Sequence, residues 1–118
     1  MYNHHIIDIK FDTESPLLDM ELFKDQILEL TEASGVTVMN EYFHKFGENY
    51  GYTGVVCLAE SHVSVHTWPE YNKMAVDVFI CNEKQEKAFM DLFFEKFSPA
   101  KRRDITHFTH KSISRLVH

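Results

Sequence analysis

The run LAESHVSVHTWPEY, residues 58 to 71, sets carboxylates, hydroxyls, two histidines and an indole into residues of strand-like character. Three chemistries fit it. His62 and His66 share parity on an extended strand, so both can face one way and, with Cys57 or Cys81, offer nitrogen and sulfur ligands to a metal. The simpler account is one core histidine and one at the surface, and no metal site is assigned. Alternatively, Cys81 is a nucleophile activated by His66. The surrounding FICN offers neither a glycine-rich oxyanion turn nor a helix start at the thiol, so core packing competes strongly. In the third chemistry the Ser61 hydroxyl attacks the carbonyl of its own preceding residue, Glu60. A strained turn and a donor to the oxyanion allow the ester to form; elimination then gives dehydroalanine, and hydrolysis leaves a pyruvoyl group.

The elements that must hold these residues are legible in the hydrophobic pattern. IIDIKF alternates, with Ile7, Ile9 and Phe11 on one face, as a half-buried strand does. Ser15 followed by Pro16 reads as an N-cap and first helical residue. Leu18, Leu22, Ile27 and Leu30 then supply the apolar stripe of a helix ending near Gly35. VTVMNEYFHKF and TGVVCLAE read as strands joined by the turn GENYGY, and MAVDVFI as a further strand. From Lys84, residues Ala88, Phe89, Leu92, Phe93 and Phe97 recur at helical spacing until Pro99 stops them. The order predicts an α+β two-layer sandwich, a largely antiparallel sheet with helices on one face. The other sheet face is left partly apolar and open to a partner subunit.

A chain of 118 residues without repeats or Gly/Ser linkers suits one domain with one core. No run of about 18 apolar residues is present to span a bilayer, and MYNHHIIDIKFD has no secretory pattern, so a cytoplasmic protein without a membrane partner is expected. Cys57 and Cys81 fit no disulfide framework and are expected to be free thiols. The formal charge of -6 divides into +4 over residues 101 to 118 and -10 over the rest. The body of the protein therefore repels nucleic acid, and the basic end reads as an exposed strand with a mobile terminus.

AESHVSVHTWPEY, with FHKF upstream and AVDVFIC downstream, resembles the small prokaryotic S-adenosylmethionine decarboxylases. The likeness runs from about Ile6 to the strand near Ile105, in separated blocks in the correct order. It implies a proenzyme that cuts itself between Glu60 and Ser61, leaving a β chain of residues 1 to 60 and an α chain of residues 61 to 118 that begins with pyruvoyl. In that family the pyruvoyl carbonyl forms a Schiff base with the substrate amine and serves as electron sink, so no external cofactor is needed. The resemblance gives Ser61 the role of pyruvoyl precursor, His66 that of the base in self-processing, and Cys81 that of the acid in turnover. Loss of Cys81 is then expected to spare cleavage but remove most turnover. Phe46 matches a position that stacks on adenine, Glu70 one that holds ribose hydroxyls, and Trp68 lies between them and shapes the pocket; for Phe46 and Trp68, core packing is the competing account. The family places this pocket between two protomers whose sheets pair into a four-layer αββα homodimer of processed αβ units.

Departures from the family pattern bear on the substrate more than on the pyruvoyl chemistry. Thr53 stands where a processing serine is usual, keeping the hydroxyl but restricting its rotamer. The turn after FHKF is one residue longer, and the glycine-rich YGYAAVD and TCG are here YNKMAVD and ICN. S-adenosylmethionine is the expected small-molecule substrate, with decarboxylated S-adenosylmethionine for spermidine synthesis as product. Arginine or ornithine, or an unprocessed regulatory pseudoenzyme, are the alternatives.

Overall fold

A computed structural model describes residues 2–48, 50–98 and 103–116. The chain runs β1 (Tyr2–Phe11), a 3-10 turn (Pro16–Leu18), α1 (Met20–Ser34), β2 (Val38–Lys45), β3 (Tyr52–Leu58), β4 (Ser61–Trp68), a second 3-10 turn (Pro69–Tyr71), β5 (Lys73–Phe79), α2 (Glu83–Phe97) and β6 (Ile105–Arg115). The six strands form one sheet in the order β2-β3-β4-β5-β1-β6, with every neighbouring pair antiparallel. The two-layer α+β architecture is the one the hydrophobic pattern predicts.

Period-two alternation decides which face is covered. Ile7, Ile9 and Phe11 of β1, Val63 and Val65 of β4, and Met74, Val76 and Val78 of β5 are buried beneath Phe23, Ile27, Phe89, Phe93 and Phe97 of the helices. The alternate residues lie on a face that neither helix covers. There Val55, His62, Ser64, Ala75, Asp77 and Phe79 are half-buried by one another, while Tyr42, Phe46 and Trp68 are exposed. No described helix is long and apolar enough to cross a membrane.

The first helix differs from its sequence reading. Ser15 caps only the 3-10 turn, its hydroxyl accepting from the Leu17 N–H at 3.2 Å, and α1 begins anew at Met20 with the Asp19 carboxylate as cap. The break rotates the stripe: Phe23 joins Ile27 and Leu30 in the core, while Leu18 and Leu22 are only half-buried. Leu17 is fully buried instead, and its carbonyl accepts the Tyr52 hydroxyl at 3.1 Å. Burial pushes the Tyr52 phenol pKa up, so it stays a donor there. Gly35 ends α1 in the left-handed conformation, φ 80°, as the sequence indicated. The helix stop assigned to Pro99, and the tail beyond Leu116, lie outside the described residues; the described part of the basic end is the long exposed edge strand β6.

Candidate active site

The hairpin from β3 to β4 turns on Ala59 and Glu60 alone, since Leu58 pairs directly with Ser61. Two-residue hairpins favour turns with φ above zero at both central positions or at the first. Here only the second, Glu60, is left-handed, at φ 59°. For a residue with a Cβ that conformation costs roughly 1–2 kcal/mol, and strain of this kind gathers where chemistry is done. The strained residue supplies the carbonyl that Ser61 would attack.

Cys81 closes over this turn. It is separated from β5 by buried Ile80 alone and precedes Asn82, whose side chain caps α2 by accepting the Gln85 N–H at 3.0 Å. The junction is further fixed by Gln85, which donates to the Gly35 carbonyl at 2.8 Å and ties the start of α2 to the end of α1. So held, Cys81 makes two contacts across one peptide bond. Its main-chain N–H donates to Ser61 Oγ at 3.0 Å, and its thiol donates to the Glu60 carbonyl oxygen at 2.8 Å. A cavity of about 330 Å³ lined by Tyr2, Glu60, Cys81, Asn82 and Glu83 opens beside them. The main-chain donor escaped the sequence reading, because no side-chain pattern announces an N–H.

His66 and Thr53 form a second group elsewhere. They are cross-strand partners, and Thr53 Oγ1 lies 2.6 Å from His66 Nδ1. Five positions separate Ser61 from His66 on β4, or about 16 Å at about 3.3 Å per residue, and odd spacing turns the two side chains to opposite faces. Within one chain, then, His66 reaches neither the Ser61 hydroxyl nor Cys81, and the pairing of Cys81 with His66 as nucleophile and base does not form. The shared parity of His62 and His66 is present, but four positions hold them about 13 Å apart, too far to ligate one ion. Among the described residues no group of three potential ligands is suitably placed for a metal.

The positions assigned to substrate gather around His66, away from Ser61. Its ring lies 6.3 Å from that of Trp68, which is 38% exposed. Phe46, just past β2 at the same end of the sheet, is 58% exposed with its ring 4.9 Å from that of His44, the cross-strand partner of Thr53. Core packing therefore accounts for neither aromatic. Glu70 is exposed in the turn that follows Trp68. One end of the sheet thus carries Glu60, Ser61 and Cys81, and the other carries Phe46, Thr53, His66, Trp68 and Glu70.

Known proteins with related sequences bear on both ends. The family model for S-adenosylmethionine decarboxylase matches residues 3–109. An S-adenosylmethionine decarboxylase proenzyme of Archaeoglobus fulgidus is 37% identical over 102 residues, 85% of this chain and 89% of that protein. One from Thermodesulfovibrio yellowstonii is 40% identical over 80 residues, covering 68% of this chain but 58% of the relative. In three dimensions, the crystal structure of the adenosylmethionine decarboxylase from Aquifex aeolicus superposes with a TM-score of 0.73 over 99% of this chain and 92% of that one, at 24% identity, and so supports the fold. With a family model spanning most of its length and relatives above one-third identity, the chain belongs to the S-adenosylmethionine decarboxylase family.

Proposed function

We propose that the chain is a self-processing, pyruvoyl-dependent decarboxylase of S-adenosylmethionine, maturing by cleavage between Glu60 and Ser61 into chains of residues 1–60 and 61–118. The observation that carries this reading is the double contact of Cys81 across that bond. Attack of Ser61 Oγ on the Glu60 carbonyl carbon pushes the carbonyl electrons onto oxygen, where the thiol already donates. The Cys81 N–H orients Oγ by occupying one of its lone pairs and leaves the hydroxyl proton free to depart. Breaking the C–N bond, with a proton delivered to nitrogen, gives the ester. Loss of the Ser61 α-proton then expels the Glu60 carboxylate, and hydrolysis of the resulting dehydroalanine releases ammonia and leaves pyruvoyl. A strained carbonyl, a positioned hydroxyl and a thiol donor fit the formation of this group.

The hydroxyl proton needs a base, and the imidazole that the family resemblance assigns, His66, is about 16 Å away along its own strand. A second copy shortens this separation. Two open sheet faces packed together with strands reversed bring the His66 end of one chain over the Ser61 end of the other at two places related by a two-fold axis; the imidazole then approaches the scissile bond from the open face, across the exposed Glu60 turn, while Ser61 shares the helix-side parity of Val63 and Val65. Such a dimer also covers the uncapped face. Phe46, Trp68 and Glu70 travel with His66 and then receive the nucleoside part of the substrate opposite the partner's cleavage site, offering an aromatic face and a carboxylate for hydroxyl groups.

Once formed, the pyruvoyl group supplies a carbonyl that takes up the substrate amine and accepts the electrons released with carbon dioxide. Cys81 supplies a proton at Sγ, and the aromatic walls exclude water. Two measurements test the reading. Intact-mass spectrometry of purified protein is expected to show two fragments divided at Glu60-Ser61; a persistent full-length mass would point to the pseudoenzyme. Carbon dioxide release is expected with S-adenosylmethionine, and release from arginine or ornithine alone would keep the chemistry but change the substrate.

A further inference from the structure

At the His66 end of the sheet, three basic side chains stand in one cross-strand row. Lys10 of β1 pairs directly with Lys73 of β5 on one side and with His107 of β6 on the other. Side chains directly opposite one another in an antiparallel pair lie about 4.5–5.5 Å apart at Cβ, and like charges there are destabilising. The row lies on the face that neither helix covers, which is also the face assigned above to the second copy.

The row lines a cavity of about 290 Å³ together with Asp8, Ile9 and Tyr71. Asp8 places one carboxylate against the three bases, yet among the described residues no ion pair joins it to either lysine. Lys73 instead sets its ammonium over the Trp68 ring, 5.4 Å from the centroid. Trp68 is the neighbour on β4, across β5 from Lys10, so this cation–π contact draws one charge away from the other. His107 Nε2 is engaged by the Thr109 hydroxyl at 2.6 Å, which leaves Nδ1 free for another partner.

We infer that the cavity between Lys10, Lys73 and His107 is a binding site for a small multivalent oxyanion of the phosphate class. Lys10, Lys73, His107 and Tyr71 line the cavity from three adjacent strands and the turn before β5, and an oxyanion between the basic groups would replace cross-strand repulsion with charge-assisted hydrogen bonds. The negative charge of the whole chain opposes entry only weakly, because beyond about 8 Å it is screened at physiological ionic strength. Lys73 lines the cavity while its ammonium lies over Trp68, so an anion that draws this ammonium inward would uncover the indole that borders the proposed nucleoside pocket. Anion binding is thereby coupled to the substrate end of the sheet.

Trp68 is the single tryptophan of the chain, so its emission reports on the indole that Lys73 touches. Inorganic phosphate, titrated into the full-length protein against chloride of matched ionic strength, is expected to give a saturable change in Trp68 emission. Lys10→Gln removes one charge without touching the indole and is expected to weaken the apparent affinity at least tenfold. His107→Gln is expected to weaken it likewise and serves as the comparison if the first variant misfolds. A phosphate response that is absent, that chloride reproduces, or that persists unweakened in the folded variants overturns the site. None of these readouts depends on self-cleavage or on carbon dioxide release, so failure here leaves the decarboxylase reading intact, and the reverse holds.

Discussion

The Cys81 thiol donates to the Glu60 carbonyl oxygen at 2.8 Å while the N–H of the same residue holds Ser61 Oγ at 3.0 Å. One residue therefore holds both the carbonyl and the hydroxyl that the proposed cleavage would join. A role in turnover alone, as the family resemblance implies, leaves this contact unused.

Cys81→Ala is accordingly expected to slow cleavage at Glu60-Ser61 as well as turnover. Removing a strong oxyanion donor typically costs about 10²–10³-fold; a thiol is a weaker donor, and the N–H contact to Ser61 survives, so the loss in cleavage rate should be about 10–100-fold. Cys81→Ser keeps a donor and should cleave faster than the alanine variant. In whatever fraction matures, loss of the proton donor should cost a further about 10²–10⁴-fold in carbon dioxide release. Time-resolved intact-mass spectrometry separates the two effects. Cleavage of Cys81→Ala at the parental rate would remove the thiol from the maturation step.

Division of the site between the sheet ends predicts complementation between two defective chains. Ser61→Ala retains His66 and Thr53 but has no nucleophile, whereas His66→Ala retains Ser61 and Cys81 but has no base. Each alone should remain uncut. Co-expressed with distinguishable tags, they should form a mixed dimer in which only the His66→Ala chain is cleaved. A cis mechanism gives no cleavage of either chain in the mixture.

Much of this was legible before the fold was known, for identifiable reasons. Ile7, Ile9 and Phe11, and Phe89, Phe93 and Phe97, are buried because alternation and helical spacing report on faces directly. The start of α1 was misplaced because Ser15-Pro16 and Asp19 both carry capping chemistry, and the pattern does not say that one caps a 3-10 turn and the other the helix. The resemblance named the residues of the proposed site but not their distribution. That Thr53 faces His66 depends on hairpin register, and that both lie far from Ser61 depends on a strand being extended along its whole length.

Gly54 ties the His66 end of the sheet to its core. A Cβ built there collides with the Phe43 ring, its cross-strand partner, which covers Gly54 from the helix side. Gly54→Ala is expected to lose about 1–3 kcal/mol, the usual cost of overpacking, and to loosen β2, the strand that leads into Phe46. Phe43→Leu in the same chain should recover part of the loss by giving the methyl room. Urea unfolding of the parent and the two variants checks this, and the absence of any recovery would place the strain in the Gly54 backbone instead.

Stability should fall as pH drops below about 6.5. His110 of β6 stacks on buried His5 with ring centroids 5.1 Å apart, its Nε2 lying 2.9 Å from His5 Nδ1, while His5 Nε2 meets the Glu86 carboxylate of α2 at 2.6 Å. Desolvation by burial, and then the neighbouring His5, push the His110 pKa below its ordinary value. His4, on the opposite face of β1, is lowered first by burial and then by the Arg115 guanidinium. For both, the unfolded chain takes up a proton near about pH 6.5 while the folded chain still resists it. The folded state therefore keeps its full advantage above that pH and loses it progressively down to the lower folded pKa, with unfolding favoured by protons. The thermal midpoint should consequently decline between pH 7 and pH 5.5 at fixed ionic strength. His110→Gln, which cannot take up a proton, should flatten that decline, whereas a slope identical to the parent's would show that the His5–His110 contact does not govern it.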